Sequence, residues 1–184
     1  MALEAYDTLD KMPNLPERFR VSVELYRGLT YLLTGRLEKA IEVYSAGVRF
    51  PGLDLATRAS VLVNRALAHW QLKHNDEAIA DLNTVIDTLG TPDDQRIKAI
   101  LGKAEIYLGL GRYDDAESET NKVNAFELTP NEAASATLLL GQAWAAQGRI
   151  EDAIANCQKI LTHEKIDDRY RQIASTLLPQ FTPK

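Results

Sequence analysis

Small residues recur along this chain at a nearly constant interval, and that interval constrains its fold more than any other feature. Ala40, Ala78, Ala116 and Ala153 are separated by 38, 38 and 37 residues. Each sits in a related run: GRLEKAIEVY from Gly35, KHNDEAIADL from Lys73, GRYDDAESET from Gly111 and GRIEDAIANC from Gly148. Twelve residues before each alanine stands another small residue (Gly28, Ala66, Ala104, Gly141), and three beyond that a ring (Tyr31, His69, Tyr107, Trp144). A period of this length marks supersecondary units that cannot bury their apolar faces alone and must stack on their neighbours.

Each unit reads as two helices. Pro16, Asp54, Pro92 and Pro130 stand 38 residues apart as start signals. Thr91 and Thr129 precede two of the prolines as N-caps, with Pro at the first helical position. Thr129 and Glu132 have capping-box spacing. The first helix carries Leu62, Leu67 and Trp70 with Ala66 at helical spacing. It ends near Lys73 or, in the other repeats, at a glycine able to adopt the left-handed C-cap conformation. The second helix opens on acids (Glu38, Asp76, Asp114, Asp115, Glu151, Asp152), which the unpaired amides of a helix N-terminus favour. The paired small residues let the two axes approach, and a large side chain there would overpack the contact by about 1–3 kcal/mol.

This ordered set of small, aromatic, glycine and alanine anchors resembles the tetratricopeptide repeat (TPR) family over almost the whole chain. The resemblance implies an all-α fold, a right-handed α-solenoid of antiparallel helix pairs whose first helices line a concave groove. One array is expected over 1–184, with repeats at 16–50, 54–89, 92–126 and 130–163. The period exceeds the family's usual length of about 34 residues. The second repeat has Lys73 and Asn75 where the others have Gly and an apolar or aromatic residue, making its turn the least typical.

Counting back 38 residues from Ala40 lands on Ala2, and the match continues with Glu4 on Glu42, Tyr6 on Tyr44, Pro13 on Pro51 and Arg20 on Arg58. The array therefore opens on a half-repeat helix at 2–12, with Leu3, Tyr6 and Leu9 exposing apolar surface. That pattern implies a protein extending upstream of Met1, or self-association through this helix. A capping helix is expected at 167–178, stopped by Pro179.

Charge and composition narrow the function classes. The balance of 21 basic against 26 acidic residues argues against a nucleic-acid surface built on phosphate neutralisation. A single cysteine, Cys157, excludes an internal disulfide framework and a Cys-rich zinc site; it reads as a buried, inert thiol. His69, His74 and His163 form no metal-ligand spacing. No apolar run is long enough to span a bilayer, and MALEAYDTLDK lacks the order of a signal peptide. No phosphate loop or catalytic Ser-His-Asp order is visible. The reading is of a cytoplasmic, non-catalytic protein with no cofactor, no metal, no nucleic-acid partner and no membrane insertion.

The resemblance assigns one stripe of each first helix to the concave side: Leu25, Leu29 and Leu32; Val63, Leu67 and Trp70; Leu101, Glu105 and Leu108; Leu138, Gln142 and Ala145. The expected function is a scaffold binding a peptide or protein segment there. Leu25, Leu29, Val63, Leu67, Trp70 and Leu101 would supply desolvation, and Asn64, Lys98, Glu105 and Gln142 would fix register. The alternative is a regulatory or sensor segment of a larger multidomain signalling protein. The carboxylate clamp of chaperone-binding TPR adaptors is not expected. Asn64 and Lys98 fall on its positions, but Leu25, Leu29 and Gly102 replace its other donors. Arg20, Arg58 and Arg96, again 38 residues apart, are expected to bridge carboxylates of neighbouring repeats, the alternative being contact with acidic partners.

Overall fold

The structure is a computed structural model that describes residues 6, 8, 12 and 16–181, except the side chains of Glu17 and Arg18. Its helices are α1 (Glu17–Leu33), α2 (Leu37–Val48), α3 (Leu55–Gln71), α4 (Asn75–Asp87), α5 (Asp93–Gly109), α6 (Tyr113–Asn121), α7 (Pro130–Ala146), α8 (Ile150–Thr162) and α9 (Asp168–Phe181). A short 3₁₀ helix, Lys122–Ala125, follows α6, and the described residues contain no strand. The fold class is all-α, built of tandem antiparallel helix pairs. The chain divides into two compact units, Met1–Ala99 and Ile100–Lys184, with α5 contributing to both. Beyond Tyr6 and Thr8, which are helical, and Met12, the half-repeat expected at 2–12 lies outside the described residues.

Every small anchor is interior. Ala40, Ala78 and Ala153 have no accessible surface, Ala116 has 2%, and Gly28, Ala66, Ala104 and Gly141 are buried with them. In the N-terminal unit, Leu32, Ala40, Tyr44, Val61 and Ala68 form one core, against which Leu25, Leu29 and Tyr31 pack. The Tyr44 ring is 1% exposed and its hydroxyl, without a hydrogen-bond partner, is pushed up to about 12 by burial. In the C-terminal unit the core joins Ala134, Leu138, Cys157, Ile160, Ile166 and Ala174, closed by Tyr170, Leu177 and Phe181 of α9. Burial raises the Cys157 thiol, which suits packing rather than nucleophilic chemistry.

The turns inside the repeats are four copies of one device. Gly35, Gly111 and Gly148 adopt φ of 72°, 73° and 83°, and Lys73 does the same at 65°. Each passes its amide back to the third residue before it, and the next residue bonds the ring-bearing position: Arg36 to Tyr31, His74 to His69, Arg112 to Tyr107, Arg149 to Trp144. This is the Schellman arrangement. The turn expected to be least typical therefore keeps the common geometry and carries the strain of a side chain in left-handed space. At three of the four turns the following residue also lies against the ring. The guanidinium carbons of Arg112 and Arg149 sit 4.4 and 4.3 Å above Tyr107 and Trp144, and the His74 ring is 5.8 Å from His69.

Helix ends depart from expectation in three places. Thr129 and Glu132 do form a capping box around Pro130. Before α5, however, Pro92 rather than Thr91 supplies the first helical carbonyl, accepting from Gln95 and Arg96, just as Pro16 does for Phe19 and Arg20. The C-terminal helix is not stopped by Pro179 but runs through it to Phe181. So near the end, the missing amide forfeits little helix that follows.

The third departure concerns the arginine column. Arg58 donates to the carbonyls of Val48 and Phe50, Arg96 to Ile86, Arg20 to Met12 and, in the last helix, Arg171 to His163. Arg58, Arg96 and Arg171 thereby satisfy carbonyls at or just past the C-terminal ends of the preceding second helices, which have no partner within their helix. Capping of these carbonyls is a role that the expected bridging of carboxylates did not include. The fourth repeat has Ala133 at this position, and there the preceding helix ends in the 3₁₀ turn.

Candidate functional site

The most apolar solvent-facing surface built by the first helices lies in the N-terminal unit. On α1, Phe19, Tyr26 and Leu33 recur every seven residues and are 48, 60 and 78% exposed. Seven residues is close to two helical turns, so they share a face. Leu29 borders them, half-buried. Helix α3 packs against α1 and adds Leu67, 38% exposed, with Val63, Asn64 and Trp70 half-buried beside it. On α3, Val63, Leu67 and Trp70 recur at helical spacing with Asn64 three residues before Leu67, while Leu29 borders the exposed residues of α1.

Other members of that set stand elsewhere. Leu25 is half-buried, packs on the core, and lies where a Cβ on Gly47 would meet it at 2.9 Å. Leu32 is 6% exposed and belongs to the core. Leu101 at 9% and Leu138 at 6% are likewise interior. Leu32, Leu101 and Leu138 are thus placed in packing, whereas Leu25 also lines the groove between α1 and α2. Lys98 is exposed and engaged with Asp94 on its own helix at 3.1 Å. In the C-terminal unit, Glu105 reaches solvent and Gln142 is half-buried. Although its side chain is exposed, surrounding chain desolvates the Glu105 carboxyl enough to raise it above the usual carboxylate range.

Sequence reasoning passed over Tyr26 and Leu33, the two most exposed apolar residues of this face. The signal was available for Tyr26, which lies one period before Asn64. It also passed over a buried ion pair that recurs at the same interval. Arg65 grips both carboxylate oxygens of Asp81, at 2.7 and 2.6 Å, and reaches Ser45 at 3.0 Å. One period on, Lys103 meets Glu119 at 3.2 Å, with Lys122 on the same oxygen at 2.8 Å. Trp144 donates from its indole nitrogen to Glu117 at 2.8 Å, and Arg149 joins that carboxylate at 3.0 Å. The Trp144 bond is the main reason the Glu117 carboxyl is held below its ordinary value.

Among the described residues, no group of three or more His, Cys, Asp or Glu could hold a metal ion, and no helix is long and apolar enough to cross a membrane. What the geometry defines is a protein of tandem antiparallel helix pairs with an apolar first-helix face. The tetratricopeptide repeat model matches residues 63–123 and 101–169, together more than half of the chain, and the chain belongs to that family. It is 28% identical over 95 residues to human DnaJ homolog subfamily C member 7. That match spans 52% of this chain but 18% of the relative. A tetratricopeptide repeat protein from Parabacteroides merdae superposes with a TM-score of 0.71 at 18% identity, covering 98% of this chain and 65% of that one. A MamA mutant, D159K, gives 0.56 at 18% identity, covering 89% of each. Proteins of this family are in general non-catalytic modules for protein–protein interaction.

Proposed function

We propose that this chain is a non-catalytic scaffold that holds a peptide or protein segment on the first-helix face of its N-terminal unit. The observation that carries the reading is the exposure of Tyr26, Leu33 and Leu67 on two packed helices. Apolar surface left in water on a rigid helical platform gains about 25 cal/mol for each Å² that a partner covers. Because α1 and α3 are fixed by the core beneath them, little ordering cost falls on this side of the complex. Tyr26 and Leu67 provide the apolar anchors, Trp70 the flank, and Asn64 a polar group to fix register.

Selection of peptides from a displayed random library against the intact chain tests this. Selected peptides should lose roughly thirtyfold in affinity on Tyr26→Ala with Leu67→Ala, as expected when anchor residues worth about 2 kcal/mol are truncated. Helicity should stay unchanged, since both side chains are exposed. Peptides that bind wild type and double variant equally would show that this face is not the binding surface.

A further inference from the structure

The turn of the second repeat differs from the others in side-chain chemistry as well as in lacking glycine. A Schellman turn sets the residue that accepts its outer hydrogen bond beside the residue that donates it. In the third and fourth repeats these are Tyr107 with Arg112 and Trp144 with Arg149, a ring under a permanent cation. In the second they are His69 and His74, whose ring centroids lie 5.8 Å apart with planes tilted by 46°. Both members of this contact can take up a proton within the physiological range. At the other turns neither tyrosine or tryptophan nor arginine changes charge there.

The surroundings decide what protonation costs. His69 is half-buried, and its Nδ1 is enclosed without a hydrogen-bond partner. The charges acting on it are Asp81 and Glu77 of α4, Arg65 of α3, and His74. Asp81 is already answered by two nitrogens of Arg65, at 2.7 and 2.6 Å, which leaves little of its charge for an imidazolium. The C-terminal end of α3 favours a cation at His69. Burial outweighs these attractions and holds the ring below the ordinary histidine value. His74 is exposed and is the N-cap of α4, where unpaired amides disfavour a cation, while Asp76 and Glu77 of the first turn offset part of that. Lys73 stands between the two histidines with its φ at 65°. Protonating both rings therefore puts three cations on the turn that already carries backbone strain.

We propose that the second repeat is an acid-sensitive joint: the His69–His74 contact holds the α3/α4 hairpin closed while both rings are neutral, and protonation of the two opens it. A histidine that the fold keeps neutral takes up its proton more readily in the open chain. Stability is thus full above the ordinary histidine value and falls as the pH drops through and below it. The window runs from about pH 7 to about pH 5.5, above the range in which ordinary carboxylates protonate. The Tyr–Arg and Trp–Arg turns keep their charge throughout, so the opening is confined to the second hairpin. This assignment does not depend on the peptide-binding face.

Amide exchange of the intact chain, read segment by segment at about pH 7 and about pH 5.5 and corrected for the intrinsic rate at each, tests it. Acidification should raise opening of the segment 69–82 about tenfold, the order expected for two unit charges about 6 Å apart at a protein surface. Helix α8 should not respond. His74→Gln, at an exposed position, should fold normally and lose most of the response. His69→Tyr with His74→Arg, which rebuilds the Tyr107–Arg112 pair, should abolish it, and His163→Gln should leave it unchanged. Equal protection of 69–82 in the wild type at the two pH values overturns the joint. A full response retained in His74→Gln overturns the pairing of the rings.

Discussion

Gly28 and Gly141 occupy the same place in their repeats, and Ala66 and Ala104 fill it in the other two. By sequence, alanine should be tolerated equally at both glycines. The structure separates them. A Cβ on Gly28 would lie 2.8 Å from Cε1 and 3.2 Å from Cδ1 of the Tyr44 ring, and 3.1 Å from Val43. On Gly141 the nearest atoms are the Ala153 carbonyl and the Asn156 Cβ, both at 3.7 Å, which is ordinary contact. The residues opposite explain the contrast: the position of Tyr44 is held by Leu82, Thr120 and Cys157 in the later repeats. Tyr44 is 1% exposed and cannot swing away without displacing core. Gly→Ala within a helix gains about 0.5–1 kcal/mol. At Gly28 an overpacking cost of about 1–3 kcal/mol outweighs it. Gly28→Ala should therefore destabilise by roughly 1 kcal/mol, whereas Gly141→Ala should stabilise by nearly as much. Repeat arrays can unfold in parts, so the assay is urea unfolding followed by tryptophan fluorescence. Trp70 reports the N-terminal unit and Trp144 the C-terminal one, each in a background where the other is Phe. If Gly28→Ala stabilises as much as Gly141→Ala, the close approach of Gly28 to Tyr44 does not govern this packing.

Lys73→Gly should raise the melting temperature by about 1–4 °C. It relieves roughly 1–2 kcal/mol of left-handed strain against the extra unfolded-state entropy of glycine, about 0.5–1 kcal/mol. Gly111→Lys, where the nearest atom to an added Cβ is 3.9 Å away, should do the reverse without a clash; equal melting temperatures would refute the strain argument. Asp81→Ala, which strands Arg65 at a part-buried site, should cost about 3 kcal/mol in urea unfolding. Arg65→Met with Asp81→Leu should recover most of that loss, and failure to do so would mean the pair itself supplies the stability.

The helix pairs were legible because each is punctuated by residues with one physical use. Glycine admits a positive φ at the turn, proline starts helices, and alanine or glycine permits close axes. Those demands depend on the local chain and so appear in the period of the sequence. The arginine column was equally visible, but its capping role was not. The acceptors of Arg58 are backbone carbonyls, which every residue carries and no letter marks. The ion pair of Arg65 with Asp81 was written in the same 38-residue register, and only its spatial closure makes it a pair.

The candidate face shows where the boundary falls. Apolar periodicity placed Leu25, Leu29 and Leu32 on one stripe of a helix, and that stripe is real. Which arc of α1 faces water depends on where α2 and α3 press against it. That contact buries Leu32 and leaves Tyr26 and Leu33 exposed. The sequence alone determined that helices form, where they turn and that they pack in pairs, because these follow from short-range backbone conformation and residue size. Tertiary packing alone decided which leucines are core and which are surface, and why one glycine cannot be alanine when its counterpart can. Those outcomes depend on distances between side chains brought together from separate helices.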